Sequence, residues 1–130
     1  MMRGPVAFCA LLLVGSSAFA AEISVVAGPD APEQLVEALI MAQPGDVVNI
    51  GPGRFDLTEG LSLDVANVTV RGAGEDQTIL SFKQQTGSGE GLLVTSSGVV
   101  LEDFAVEDTK GDGVKSKGVD QITFRNLRVE

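Results

Sequence analysis

The sequence predicts an all-β solenoid, in which short strands stack in successive coils beneath one N-terminal helix. After Gly45, apolar residues alternate with polar ones in short runs that are separated by Gly, Pro and Asn. This alternation is typical of strands and turns. Similar segments recur at intervals of about 20 to 30 residues, which is the signature of a repeat architecture. A single amphipathic segment stands ahead of these runs and predicts the helix.

The first 20 residues predict a secretory signal peptide. Arg3 is followed by an apolar run and by a small-residue ending before Ala21, which is the three-part pattern of such peptides. We expect cleavage between Ala20 and Ala21 and a secreted or periplasmic mature protein. The apolar run is shorter than the roughly 20 residues that cross a bilayer, so no transmembrane anchor is expected. The only cysteine, Cys9, lies inside this leader, and the mature chain has no thiol.

The composition favours one acidic domain over residues 21–130. The chain has nine Lys and Arg and 18 Asp and Glu, and removal of Arg3 with the leader gives the mature chain a net charge of −10. We therefore expect no nucleic-acid partner. Without disulfides, about 110 residues must be held together by one apolar core. The chain has no His, Tyr or Trp. Three residue types that commonly serve acid/base chemistry or sugar stacking are therefore missing.

A short amphipathic helix is predicted over about residues 31 to 43. Asp30 is a suitable N-cap with Glu33 as its reciprocal partner, Pro32 is tolerated in the first turn, and Pro44-Gly45 ends the helix. The apolar residues at helical spacing are Leu35, Val36, Leu39 and Ile40. We expect this stripe to cover the open end of the first coil.

The coils are predicted to begin near residue 46 and to contain short strands. Alternating apolar residues mark these strands: Val48 and Ile50, Leu61 and Leu63, Val68 and Val70, then Ile79 with Phe82. No second helix pattern separates them, which argues against a doubly wound α/β sheet. Leucine-rich repeats are also disfavoured, because the chain does not keep their frame. An antiparallel sandwich of short strands remains the alternative.

Three segments, 61–74, 92–105 and 114–127, align with one another. The alignment places Leu63 with Val94 and Ser116, and Val70 with Leu101 and Phe124. An earlier partial copy, 47–53, aligns Ile50 with Val70, and the polar segment 83–91 explains the longer step between the first two full copies. Because stacked coils lie about 4.8 Å apart, we expect Val70, Leu101 and Phe124 to form one inward column.

Three motifs of the chain resemble one known family. They are ALIMAQPGDVVNIGPGRFDL, NVTVRGAGEDQTILSF and GDGVKSKGVDQITFRNLRVE. They are similar to the helix, Pro-Gly-Asp turn, first strand and glycine-containing repeats of the pectin-lyase-like superfamily. The resemblance covers nearly all of the mature chain and implies a right-handed parallel β-helix with an N-terminal capping α-helix.

The same resemblance implies a polysaccharide-acting protein with lyase, epimerase or hydrolase-like chemistry. The Asp-His, Arg-Pro, Asp-Asp and Gly-His-Gly signatures of those enzymes are missing, so no catalytic residue carries over. Residues 127–130 stop in or just after a strand with an unpaired edge. We therefore expect a longer protein whose active site lies outside this segment, and no turnover by the segment itself. The alternative is a non-catalytic β-helix that binds glycan or serves as an envelope scaffold.

Two pairs of side chains are candidate site residues. Asp108 and Asp112 flank a short turn and are candidate oxygen ligands for Ca²⁺, the one cofactor that the sequence suggests. Their simpler interpretation is a solvated acidic turn. Lys115 and Arg125 are candidate contacts for an acidic polysaccharide or cell-surface glycan, and this interpretation would gain if they shared a face. Their simpler interpretation is the polar outer surface of a coil.

Two asparagines also invite an interpretation. Asn67-Val68-Thr69 matches the N-glycosylation frame, although an Asn before a strand is more simply a turn residue. Asn126 is a candidate for a structural ladder of stacked side chains, if later repeats keep Asn at that position.

Overall fold

The computed structural model describes residues 20–87 and 89–130, which form one helix and ten strands. The body of the predicted signal peptide, with Arg3 and Cys9, lies outside these residues. The elements in chain order are β1 (Glu22–Val25), α1 (Ala31–Met41), β2 (Val47–Ile50), β3 (Gly53–Asp56), β4 (Leu61–Leu63), β5 (Thr69–Arg71), β6 (Thr78–Ser81), β7 (Leu92–Val94), β8 (Val99–Glu107), β9 (Val114–Ser116) and β10 (Ile122–Val129). No helix in the described part is long and apolar enough to span a bilayer.

The strands form three ladders in which each described pair is parallel. The first ladder runs β1-β2-β5-β8-β10, the second runs β3-β6-β8-β10, and the third runs β4-β7-β9. The long strands β8 and β10 pair along both of their halves, so they belong to the first and the second ladder. The protein is therefore an all-β molecule of parallel sheets with one helix, and the antiparallel alternative is wrong for these strands.

The register confirms the repeat alignment. Leu63 pairs with Val94 and Val94 with Ser116, while Val70 pairs with Leu101 and Leu101 with Phe124. The earlier partial copy is shifted, because Val48 rather than Ile50 pairs with Val70. The shift is two residues. Because strand side chains alternate with a period of two, the predicted inward face of this strand is unchanged.

The longer step between the first two full copies has two sources. The polar segment between β6 and β7 is one of them, as predicted. The other is the connection 72–77 between β5 and β6, two strands that both pair with the continuous strand β8 in the next turn. The sequence does not predict this second source, because RGAGEDQ is typical of an ordinary turn. Only the register shows that the following coil crosses the same region as one continuous strand, β8.

Apolar side chains from all three ladders meet in one core. Its members include Val48, Val70, Leu101, Phe55, Leu80, Phe104, Leu63 and Val94. The predicted inward column is present in register, with Val70 2% exposed and Leu101 0% exposed. Phe124 continues this column in β10 but is 53% exposed, since no further described strand lies on it.

Helix α1 packs against β1, β2, β3 and β4, which include the outermost strand of every ladder. It buries Ala31, Leu35, Ala38 and Leu39. The predicted stripe was too wide, because Val36 is 39% and Ile40 67% exposed. Asp30 does stand at the N-cap position, yet its side chain makes no capping hydrogen bond, so the predicted reciprocal pair with Glu33 is wrong. The helix ends at Met41, and the N–H of Ala42 donates to the carbonyl of Ala38.

Strands β8 and β10 bend between the first and second ladders at left-handed residues. Asp103 has φ +63° and its neighbour in the next turn, Asn126, has φ +50°. Asn126 Nδ2 donates to Asp103 Oδ1 of the preceding turn at 3.2 Å, whereas the ladder of stacked Asn side chains depends on later repeats and stays a prediction. Gly72 lies against this bend, and a Cβ there would collide with the carbonyl of Asp103. A side chain at Gly72 is therefore sterically excluded.

Candidate functional site

The outer face of the third ladder carries one side chain from each of its three strands. Ser62 of β4 pairs with Leu93 of β7, which pairs with Lys115 of β9. Their neighbours along the strands, such as Leu63 and Val94, are buried in the core. The alternation of strand side chains thus places a hydroxyl, an apolar group and an ammonium in one outward row.

A polar groove of about 300 Å³ follows this row. The turns that lead into β4 and β7 supply its wall. The lining residues are Glu59, Gly60, Leu61, Ser62, Thr86, Glu90, Gly91 and Leu93. Two carboxylate residues, two hydroxyl residues and two leucines therefore line the same small volume.

Lys115 lies beside the groove and forms an ion pair with Glu90, one of the lining residues. Its Nζ lies 2.7 Å from Glu90 Oε2 and 3.9 Å from Asp112 Oδ2. The hydrogen bond to Glu90, followed by the charge of that carboxylate, raises the pKa of Lys115. The predicted contact residue thus stands beside a real groove, but its charge is already balanced by a neighbouring turn.

Hydrogen bonds within and between turns hold the wall of the groove in place. Gln85, which is 3% exposed, donates from Nε2 to the carbonyl of Glu90 at 2.6 Å. The backbone N–H of Thr86 donates to the carbonyl of Thr58 at 3.0 Å. Lys110 Nζ donates to the carbonyl of Gln85 at 3.2 Å. A groove that is fixed in this way needs little ordering when a ligand binds.

Arg125 lies elsewhere, on the outer face of the first ladder. Its Nη1 is 2.9 Å from Glu102 Oε1, and Arg71 Nε lies 2.6 Å from Glu102 Oε2. Glu102 is only 6% exposed. The Arg71 hydrogen bond is the main cause that lowers the pKa of Glu102, and it raises the pKa of Arg71 in return. Lys115 and Arg125 therefore lie on different faces, so the arrangement that would have strengthened their interpretation as sugar-acid contacts is not found.

A second network of arginine and carboxylate side chains connects neighbouring strands of the second ladder. Glu107 lies between Arg128, whose Nη1 is 2.8 Å from Oε2, and Arg54, whose Nη1 is 3.8 Å from Oε1. Arg54 Nη2 also donates to Ser81 Oγ at 2.8 Å. Each network connects side chains that are far apart in the sequence and adjacent in the stack.

The candidate calcium ligands occupy the turn after β8. Asp108 is exposed with φ +62°, and its backbone N–H donates to the carbonyl of Glu130. Asp112, whose side chain is 65% exposed, stands near Lys115. Nowhere in residues 20–87 and 89–130 do three or more Asp, Glu, His or Cys side chains gather as a metal site. The calcium site therefore stays a prediction without a third carboxylate ligand.

Asn67 is exposed with φ +60° and stands two residues before Thr69, where β5 begins. Its N–H donates to the carbonyl of Ser97 in the next turn at 3.0 Å. This geometry supports the simpler interpretation of Asn67 as a turn residue.

Sequence reasoning missed the residues that neutralise the candidate cations. Glu102 was detectable, because Arg71, Glu102 and Arg125 each follow a residue of the aligned column Val70, Leu101 and Phe124. Glu90 gave no such signal, since it lies in a connection outside the repeat. No known protein family, curated protein or solved structure matches this chain.

Proposed function

We propose that this chain is an exported right-handed parallel β-helix that binds a polysaccharide along the outer face of its third ladder. The parallel ladders, the in-register apolar columns and the helix against the outermost strands support the fold. The observation that carries the function is the polar groove beside Ser62, Leu93 and Lys115. Extended outer faces of solenoids are well suited to long polymeric ligands.

The groove chemistry favours neutral sugar units over acidic ones. The carboxylates of Glu59 and Glu90 can accept hydrogen bonds from sugar hydroxyls, the hydroxyl of Ser62 can donate and accept, and that of Thr86, which donates to the carbonyl of Thr58, can accept. Leu93 offers an apolar patch to the C–H face of a ring. A uronate, in contrast, must compete with Glu90 for the ammonium of Lys115, which lies 2.7 Å from that carboxylate.

Binding of oligosaccharides to the chain tests this proposal. Isothermal titration with neutral β-linked hexasaccharides and with hexagalacturonate should show saturable binding of a neutral ligand. Thr86→Ala should weaken it several-fold, because one hydrogen bond is lost. Glu75→Gln, an exposed carboxylate outside the groove, is the matched control and should leave binding unchanged. Absence of binding to every sugar, or equal binding by Thr86→Ala and the parent chain, would overturn the proposal.

Glu90→Gln tests the charge argument separately. Removing this carboxylate releases Lys115, so affinity for hexagalacturonate should rise about tenfold while affinity for the neutral ligand falls. Lys115→Met in the same background should abolish the gain. A gain that survives the loss of Lys115 would show that the ammonium is not the sugar-acid contact.

Any lyase, epimerase or hydrolase chemistry is proposed to lie outside residues 21–130, so that the groove acts as a binding subsite. The chain should therefore release neither unsaturated products nor new reducing ends from uronate or neutral polymers. Product formation that depends on Glu59 or Glu90 would overturn this assignment.

An envelope scaffold without a ligand is the second candidate. It is favoured by the pairing of outward cations with carboxylates of other turns, as in Arg71–Glu102 and Arg128–Glu107. Such pairs hold the turns together rather than present charge to a partner. Lack of sugar binding combined with high thermal stability of the chain would favour this candidate.

A further inference from the structure

The outward face of α1 leaves apolar side chains in solvent. Val36 is 39%, Ile40 67% and Met41 66% exposed. Together with Pro32 and Leu57 they line a groove of about 520 Å³ between the helix and the segment after β3. Contiguous exposed apolar surface of this kind marks interaction sites on soluble proteins.

Carboxylates rim this helix groove. Glu33 and Glu37 stand on α1, and Glu59 stands on the opposite wall. None of the three has a salt bridge to another described residue, in contrast to the paired carboxylates Glu102 and Glu107. The groove thus combines an apolar floor with unneutralised negative charge.

The charge of the rim decides which occupant fits. A second copy of this chain would bring its own Glu33 and Glu37 against the same carboxylates, and the chain as a whole has a net charge of −9. An anionic lipid surface is repelled for the same reason. A partner with apolar anchors and surrounding Lys or Arg complements both the floor and the rim.

We propose that this groove docks a cationic amphipathic helix of a partner protein. Val36 and Ile40 are four residues apart, so they form a ridge along α1 that matches anchors spaced by one helical turn. The 11 residues of α1 are about 16 Å long, enough for about three turns of a partner helix. Glu59 lines both grooves, but Val36, Ile40 and Met41 do not line the groove of the third ladder, so variants at these three residues separate this docking from sugar binding.

Fluorescence anisotropy with a labelled 14-residue Leu/Lys peptide, designed as an amphipathic helix, tests the proposal on the full chain. We expect saturable binding with a Kd below about 100 µM. A scrambled peptide of equal composition should bind at least about tenfold more weakly, and a Leu/Glu peptide should not bind. Raising the salt concentration from about 50 mM to 500 mM should weaken binding several-fold, because the rim is exposed to solvent.

Variants on the floor and on the rim locate the binding. Ile40→Ser and the double variant Glu33→Gln with Glu37→Gln should each weaken peptide binding about tenfold or more. Val26→Ser, which is 68% exposed outside the groove, and Glu75→Gln are the matched controls and should bind as the parent chain does. Equal binding of the scrambled peptide, or equal losses in the control variants, would overturn the proposal.

Methionine methyl NMR gives a second readout that does not depend on affinity. The chain has three methionines, Met1, Met2 and Met41, and Met41→Leu assigns the signal of the groove. The peptide should shift the Met41 signal and leave the other two unchanged. A dimer detected by sedimentation and lost in Ile40→Ser would instead identify a second copy as the occupant and overturn the cationic partner.

Discussion

Glu102 shows how one side chain connects three successive turns. It stands between Arg71 of the preceding turn and Arg125 of the following turn, with 6% of its surface exposed. Both arginines are partly in solvent, at 45% and 61% side-chain exposure, so screening limits the strength of the network. Removing this buried carboxylate nevertheless lowers the free energy of unfolding, because both arginines then lose a hydrogen bond. Removing the arginines does the same, because the buried carboxylate is left without a partner.

Glu102→Gln should lower the free energy of unfolding by about 1–3 kcal/mol. The amide keeps the shape of the side chain but loses the charge that both arginines face. Urea unfolding followed by far-ultraviolet circular dichroism measures the change, with Glu75→Gln as the exposed control. A loss no larger than that of the control would mean that the network contributes nothing to stability.

The lowered pKa of Glu102 predicts how stability depends on pH. The group has a lower pKa folded than unfolded, so its contribution is complete above its ordinary value near 4.5 and is lost as the pH falls through the folded pKa. Asp46 behaves alike, since the N–H groups of Ala21 and Gln43 lower its pKa. Below about pH 5, the stability of the parent chain should therefore fall more steeply than that of Glu102→Gln. Parallel curves for the two proteins between pH 3 and 7 would contradict this linkage.

Some features of helix α1 could be predicted from the sequence, and others could not. Its period and its Pro32 start were predictable, because they are local properties of the chain. Its buried face was only half predictable: Leu35 and Leu39 alternate with Val36 and Ile40 on adjoining stripes, and hydrophobicity alone cannot choose between them. Strands β1 and β3 were missed for other reasons: β3 has a single apolar residue, Phe55, and β1 stands before the helix, outside the aligned repeats.

Substitutions on the two stripes of α1 should have very different costs. Leu39→Ala should lower the free energy of unfolding by about 2–5 kcal/mol, because it leaves a cavity against the first strands. Ile40→Ala should change it by about 0.5 kcal/mol or less, because this side chain is 67% exposed. Thermal and urea unfolding of both variants measures the contrast. An equal loss of unfolding free energy in the two variants would mean that both stripes of α1 pack in the core.

The bend at Asp103 and Asn126 predicts an element-scale effect at Gly72. Gly72→Ala should destabilise the chain by about 1–3 kcal/mol, because its Cβ collides with the carbonyl of Asp103. Ala73→Gly, at the exposed neighbouring position, is the matched control. Unfolding curves that coincide for the two variants would exclude close packing of the turns at this bend.

At the scale of the whole molecule, stability comes from each turn packing on the next. The repeat alignment predicted the register of two columns, Val70 with Leu101 and Leu63 with Val94, since sequence periodicity directly reflects stacking. The candidate site was less predictable. The groove of the third ladder depends on two turns that approach each other in space, and its acidic members Glu59 and Glu90 lie outside the repeat.

Methyl nuclear Overhauser spectroscopy on the folded chain tests most directly whether the turns stack in parallel and in register. We expect cross-peaks between Val48 and Val70, between Val70 and Leu101, and between Leu63 and Val94, the pairs that lie in adjacent turns. Missing cross-peaks for these pairs, together with contacts that pair neighbouring strands in opposite directions, would contradict the stacked arrangement.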